Sequence, residues 1–154
     1  MIELSHMKEF DLFRHVTLDN IQSISNEAEY LELDANETLF TEGSVGRDIF
    51  LIISGAVSIL NSVPGGESSE LKELHVLREG EVLGELSYID NAPRSAGAKA
   101  KEKSVLLQIP ADALDSLCEE KPMLGYRLMK NLAQIITERI RTTNLELRNS
   151  MIWG

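Results

Sequence analysis

Cysteine is nearly absent from this chain of 154 residues. Cys118 stands alone, so no disulfide can close within the chain, and a reducing compartment is the expectation. Histidine is almost as sparse. His6, His15 and His75 are scattered, with none paired at the short spacing that a cupin-type metal site requires. No nucleophile elbow, metal pair or triad pattern takes their place, so neither enzymatic activity nor a metal or cofactor is expected. No stretch approaches the roughly 20 continuous apolar residues that span a bilayer. Met1 to Phe13 mixes charged with apolar residues, unlike a secretory leader, so a cytoplasmic protein without membrane contact is expected. Positive charge is also scarce: 15 Lys and Arg stand against 25 Asp and Glu, a net of −10. Duplex DNA repels such a chain unless a local basic patch compensates. One segment is basic. Between Lys121 and Asn149 six cationic residues face two acidic ones, leaving this stretch at +4 and the remainder at −14. A basic helix lying on an acidic body accounts for the asymmetry more simply than a nucleic-acid-binding helix, and no DNA partner is expected.

What is present divides into three zones of a single domain spanning 1–154. Residues 1–27 read as a helical segment anchored by Phe10, Phe13, Ile21 and Ile24, with Asp19 a candidate cap for a helix starting near Asn20. Residues 28–109 hold short β-like runs. Tyr30 to Leu33 alternates, Ile49 to Ile53 is continuously apolar, Ala56 to Leu60 follows, and Ser104 to Ile109 closes the zone. Glycines punctuate them. Gly55 separates two runs where positive φ or close backbone approach is needed, and Pro64-Gly65-Gly66 with Ser68-Ser69 marks a hairpin tip. No βαβ alternation exists, which argues against a Rossmann sheet. The expected fold class is mainly β with flanking helices. Residues 110–149 return to helical periodicity, with one helix from about Pro110 to Glu119 and a second led by Pro122. The second carries Leu124, Leu128, Leu132, Ile136 and Ile140 at steps of four and reaches Leu147. Packing on its own domain would satisfy this stripe; its length favours a two-helix homodimer seam.

The segment Gly84-Glu85-Leu86-Ser87-Tyr88-Ile89-Asp90-Asn91-Ala92-Pro93-Arg94-Ser95-Ala96 carries the chemistry. A glycine entering a short helix offers backbone N–H groups to an anion. Arg94 can fork onto a phosphate, and Glu85 can accept from a sugar hydroxyl. An exposed Glu85–Arg94 salt bridge is the bland alternative.

This run resembles the phosphate-binding cassette of the cyclic-nucleotide-binding domain family, that of catabolite activator proteins, protein kinase A and G regulatory modules and nucleotide-gated channels. Its Gly-Glu-Leu and Pro-Arg-small elements match Gly84-Glu85-Leu86 and Pro93-Arg94-Ser95-Ala96. Leu39-Phe40-Thr41-Glu42-Gly43, Phe50 to Val57 and Arg78 to Glu85 resemble the family's other landmarks in the right order, so the likeness covers about residues 10–147. The resemblance implies a jelly-roll-like β-roll (a double-stranded β-helix) with N-terminal helices and a long C-terminal helix. It implies a regulatory sensor that binds a 3′,5′-cyclic mononucleotide, with cAMP favoured over cGMP, and couples binding to movement of the C-terminal helix. In it, Arg94 pairs with the phosphate, backbone N–H groups near Glu85 and Ser95 complete the anion site, and Glu85 takes the ribose 2′-OH. Ser95 adds its hydroxyl, Ile59, Leu74 and Leu77 line an apolar slot for the purine, and Thr137, Glu138, Arg139 or Thr142 supplies a lid.

Two departures stand out. Leu83 occupies a position where many members have Phe, and the activators' winged helix is expected to be missing from a chain that stops at Gly154. A ligand-free interaction or dimerisation module is the rival reading. The retention of both Glu85 and Arg94 argues against it.

Overall fold

A computed structural model of the chain describes residues 2–66 and 70–153. The chain opens with α1 (Leu4–Met7), a 3-10 turn at Asp11–Phe13 and α2 (Leu18–Glu27). Eight strands follow: β1 (Glu29–Leu33), β2 (Thr38–Phe40), β3 (Ile49–Ser54), β4 (Ala56–Ser62), β5 (Leu71–Arg78), β6 (Val82–Leu83), β7 (Gly97–Ala100) and β8 (Ser104–Ile109). Between β6 and β7 lies the short α3 (Glu85–Asp90); α4 (Ala111–Glu120) and the 32-residue α5 (Pro122–Trp153) close the chain. The strands form two antiparallel four-stranded sheets, ordered β1-β8-β3-β6 and β2-β7-β4-β5. This is the mainly β jelly-roll with flanking helices that the strand pattern and the resemblance implied.

The continuous apolar run of β3 has a simple cause. Successive strand residues point to opposite faces, and both faces of this strand are buried. Phe50 and Ile52 enter a core between the two sheets with Leu33, Val57, Leu77, Leu83 and Leu106. Ile49 and Leu51 enter a second core with Phe10, Phe13, Ile21, Ile24, Leu114, Leu124, Leu128 and Leu132. β8 is used in the same way, with Leu106 in the first core and Leu107 and Ile109 in the second. One sheet is thus sandwiched between the other sheet and the helices.

Local details depart from the sequence reading in places. The cap of α2 is Thr17, whose hydroxyl accepts from the Asn20 N–H, and Asp19 sits inside the first turn. Gly55 has φ +94, and a Cβ there would fall 2.6 Å from the Lys103 carbonyl, so both expected demands meet at one residue. The β4–β5 tip runs through Pro64 to Gly66; Ser68 and Ser69 lie outside the described residues. The apolar stripe of α5 is split. Leu124, Leu128 and Leu132 are core residues of the chain itself and form no intermolecular seam, while Ile140, Leu145 and Leu147 are exposed. Asn131, buried beside them, donates to the carbonyls of Leu12 and Arg14 and fastens this half of the helix to the N-terminal segment.

Candidate functional site

The site begins at a glycine. β6 pairs with β3 through Phe50–Leu83 and Leu51–Val82 and delivers the chain to Gly84. Gly84 has φ +85, and a Cβ there would lie 2.7 Å from the Asp48 carbonyl and 2.8 Å from Arg94 Nη1. Only glycine meets both conditions without strain. The chain then enters α3, leaves it through Asn91 in the left-handed conformation and returns past Pro93 to Arg94.

Arg94 is 5% exposed. Its backbone is clamped by residues 43 and 44: the Arg94 N–H donates to the Ser44 carbonyl, and the Gly43 N–H donates to the Arg94 carbonyl. Nη1 donates to the Gly84 carbonyl and Nη2 to the Asp48 carbonyl, each at 2.9 Å. The guanidinium lies 4.5 Å over the Phe40 ring. Burial draws the Arg94 pKa down, and the charges of Asp48 and Glu85 oppose this; a guanidinium nonetheless stays protonated at neutral pH. Among the described residues no carboxylate forms an ion pair with it. A buried cation held only by carbonyls is unusual, because buried charges are normally paired.

Glu85, 6% exposed, does not pair with Arg94 as the bland alternative supposed. Its Oε1 accepts from Nη1 of Arg139 on α5 at 2.6 Å, and Nη2 of Arg139 donates to the Val82 carbonyl. Among the described residues this is the single ion pair between α5 and the roll.

Arg94 and Glu85 share a cavity of about 590 Å³. All nine residues singled out in the sequence line it: Ile59, Leu74, Leu77, Gly84, Glu85, Leu86, Arg94, Ser95 and Ala96. Phe40, Asn61, His75, Leu83 and Ser87 add to the wall, and α5 forms the roof with Ile136, Arg139, Ile140, Thr143 and Asn144. Of the lid candidates, only Arg139 reaches the cavity. Thr137 turns its hydroxyl to the Ala133 carbonyl, and Glu138 and Thr142 face an adjoining cavity of about 290 Å³. Thr143 and Asn144 escaped the sequence reading. The signal was helical spacing, since both lie one turn beyond Arg139 on the face that also carries Ile136 and Ile140. Among the described residues no group of three His, Cys, Asp or Glu is placed to hold a metal ion, and no helix is long and apolar enough to cross a membrane.

A β-roll enclosing an apolar slot, with one buried arginine at its base and a helix for a roof, has the form of a ligand-binding module. The sequence profile described as "Cyclic nucleotide-binding domain" matches residues 30–121, and the chain belongs to that family. Among its relatives is the cyclic AMP receptor protein of Thermus thermophilus, 32% identical over 71% of this chain and 47% of that protein. A CRP-like cAMP-activated global transcriptional regulator of Mycobacterium tuberculosis is 28% identical over 88% of this chain and 58% of that protein. The chain therefore spans about half the length of these curated relatives. A cyclic nucleotide-binding domain from Methylobacillus flagellatus has the same fold, with a TM-score of 0.83 over 96% of this chain and 81% of that one, at 24% identity. The catabolite activator protein of Thermus thermophilus superposes with a TM-score of 0.76 over 92% of this chain and 63% of that one, at 26% identity.

Proposed function

We propose that this protein binds a 3′,5′-cyclic mononucleotide, cAMP in preference to cGMP, and transmits its occupancy through α5. The observation that carries the reading is Arg94: a buried guanidinium that lacks a carboxylate partner among the described residues and opens on a cavity of nucleotide size. Its two carbonyl contacts fix the plane of the group and leave three of its five N–H donors for an anion. A cyclic phosphate brings one negative charge to this point. Glu85 beside it accepts from the ribose 2′-OH, with the Ser95 hydroxyl and the N–H groups near Glu85 and Ser95 completing the grip. Ile59, Leu74 and Leu77 stack against the purine.

The base preference rests on Asn144. An asparagine amide offers a donor and an acceptor side by side, which matches the N7 acceptor and 6-amino donor of adenine. Guanine presents two acceptors on that edge, and the pairing fails. Arg139 supports the coupling, because it joins the ribose-binding carboxylate to the helix. The protein is proposed to act without chemistry of its own, away from membranes in the cytoplasm, and without contact to duplex DNA. In a rival ligand-free module Arg94 would only brace the Gly84 and Asp48 carbonyls, and its buried charge would lack a carboxylate among the described residues.

Calorimetric titration with cAMP, cGMP and linear 5′-AMP tests the reading. Saturable binding in the order cAMP, cGMP, 5′-AMP is expected. Silence toward both cyclic nucleotides at millimolar concentration would leave the interaction module as the surviving account.

A further inference from the structure

A polar side chain stands where the strand pattern calls for an apolar one. β4 alternates, with Val57 in the core between the sheets and Ile59 and Asn61 on the cavity wall. Asparagine is depleted in strands, and an apolar slot does not satisfy its amide. Here the amide has partners. Its nitrogen donates to the Ser95 carbonyl and to the Leu60 carbonyl, each at 3.1 Å. The opposite orientation would set the amide oxygen against both carbonyl oxygens, so the donor side faces them.

The contact lies where the backbone ladder gives out. β4 and β7 pair from Val57–Ala100 to Leu60–Gly97, and beyond that rung Ser95 and Ala96 bend away toward Arg94. Two side chains take over. Asn61 holds the Ser95 carbonyl, and the Glu42 carboxylate accepts from the Ser62 N–H at 2.9 Å. Successive residues of the candidate anion site are thus fastened to different elements. The Arg94 backbone is held by residues 43 and 44, and its guanidinium by the Gly84 and Asp48 carbonyls. Ser95 is held to β4 through Asn61. It lines the cavity, and its N–H and hydroxyl have no acceptor among the described residues. The Ser95 carbonyl and the Ala96 N–H share one planar peptide. Fixing the carbonyl therefore fixes the direction of that N–H and the stance of the Ser95 hydroxyl beside it.

We propose that Asn61 is a positioning residue for the phosphate. It sets Ser95 and Ala96 so that their donors meet one exocyclic oxygen of the cyclic phosphate, while Arg94 takes the other. The inference rests on the cyclic-nucleotide reading above and divides the anion site into two halves with separate supports. The two exocyclic oxygens are stereochemically distinct, so Asn61 governs how the site reads one of them and leaves the other to Arg94.

The Sp and Rp phosphorothioate diastereomers of cAMP test this by calorimetry, because each replaces one exocyclic oxygen with sulfur, a larger and weaker acceptor. In the wild type both are expected to bind more weakly than cAMP. Asn61→Leu keeps the size of the side chain and removes the amide. It is expected to weaken cAMP about three- to tenfold, the cost of a lost hydrogen bond. It should also abolish the sulfur penalty of one diastereomer and leave that of the other. Ser95→Ala should reduce the same penalty, and the double variant should be little weaker than Asn61→Leu alone, since both changes act on one oxygen. The ratio between diastereomers is read within one protein, so it is independent of any change in the folded fraction. An equal loss on cAMP and both diastereomers, or no loss on any, would overturn the inference and leave the nucleotide reading standing. A wild-type protein that binds none of the three would overturn both.

Discussion

Arg94, the proposed phosphate ligand, also has a structural role. Its two carbonyl contacts brace Gly84 and the loop at Asp48, and its charge lacks a counter-ion among the described residues. Removing one partner of a desolvated charged contact typically costs about 2–5 kcal/mol. Arg94→Ala is therefore expected to weaken cAMP binding by roughly thirty-fold or more, measured by calorimetry. Glu85→Ala should cost more against cAMP than against its 2′-deoxy analogue, which lacks the proposed partner; an equal loss on both would reassign Glu85 to holding Arg139 alone. At Gly84 the expectation concerns folding. A Cβ would collide with the Asp48 carbonyl at a φ of +85, so Gly84→Ala should lower stability by about 1–3 kcal/mol in urea titration. These residues were legible in the sequence because Gly, Glu and Arg have chemistry that few other residues share. Asn61, Thr143 and Asn144 were not, since a neutral side chain announces a site only once the fold aims it.

Legibility varied among the elements for reasons of burial. β3 and β8 stood out because both their faces are covered, which demands unbroken apolar runs. β5 was obscure. It lies at the edge of its sheet with its first five residues exposed, and Lys72, Glu73 and His75 interrupt any alternation. β7 was hidden by its composition: Gly-Ala-Lys-Ala has weak strand propensity, and its small side chains are what a strand between β2 and β4 can accommodate over a tight core. The regular stripe of α5 misled in another way. Apolar residues at steps of four are equally suited to a core, a cavity roof or a partner helix, and here the first half takes one role and the second half another. This division predicts two behaviours in one helix. Arg139→Ala should accelerate amide exchange beyond Ile136, where Arg139 makes the one ion pair to the roll among the described residues. Residues 124–132 should stay protected by the core and Asn131. Uniform exchange along α5 in the variant would contradict it.

For the whole molecule, the split stripe relocates the expected dimer contact. Leu147 and Met151 are at least half exposed and share one face of α5 beyond the cavity roof, at helical spacing. Pairing with a second copy along this face would cover them, and light scattering is expected to give twice the monomer mass. Leu147→Asp should return the protein to monomer without touching the core, whereas Leu132→Asp would strike a fully buried residue and unfold the chain. A wild-type monomer at high concentration would dismiss the dimer. The outer part of α5 has a further geometric consequence. At a rise of 1.5 Å per residue, Trp153 stands about 21 Å along the axis from Arg139, so a tilt of roughly 10° at that contact would sweep the tip through about 3–4 Å. Under the proposed coupling the long helix would act as a lever with its fulcrum at Arg139, turning a small adjustment at Glu85 into a displacement the size of a side chain at its end. Trp153, the chain's one tryptophan and 86% exposed, rides on that end as a built-in optical pointer.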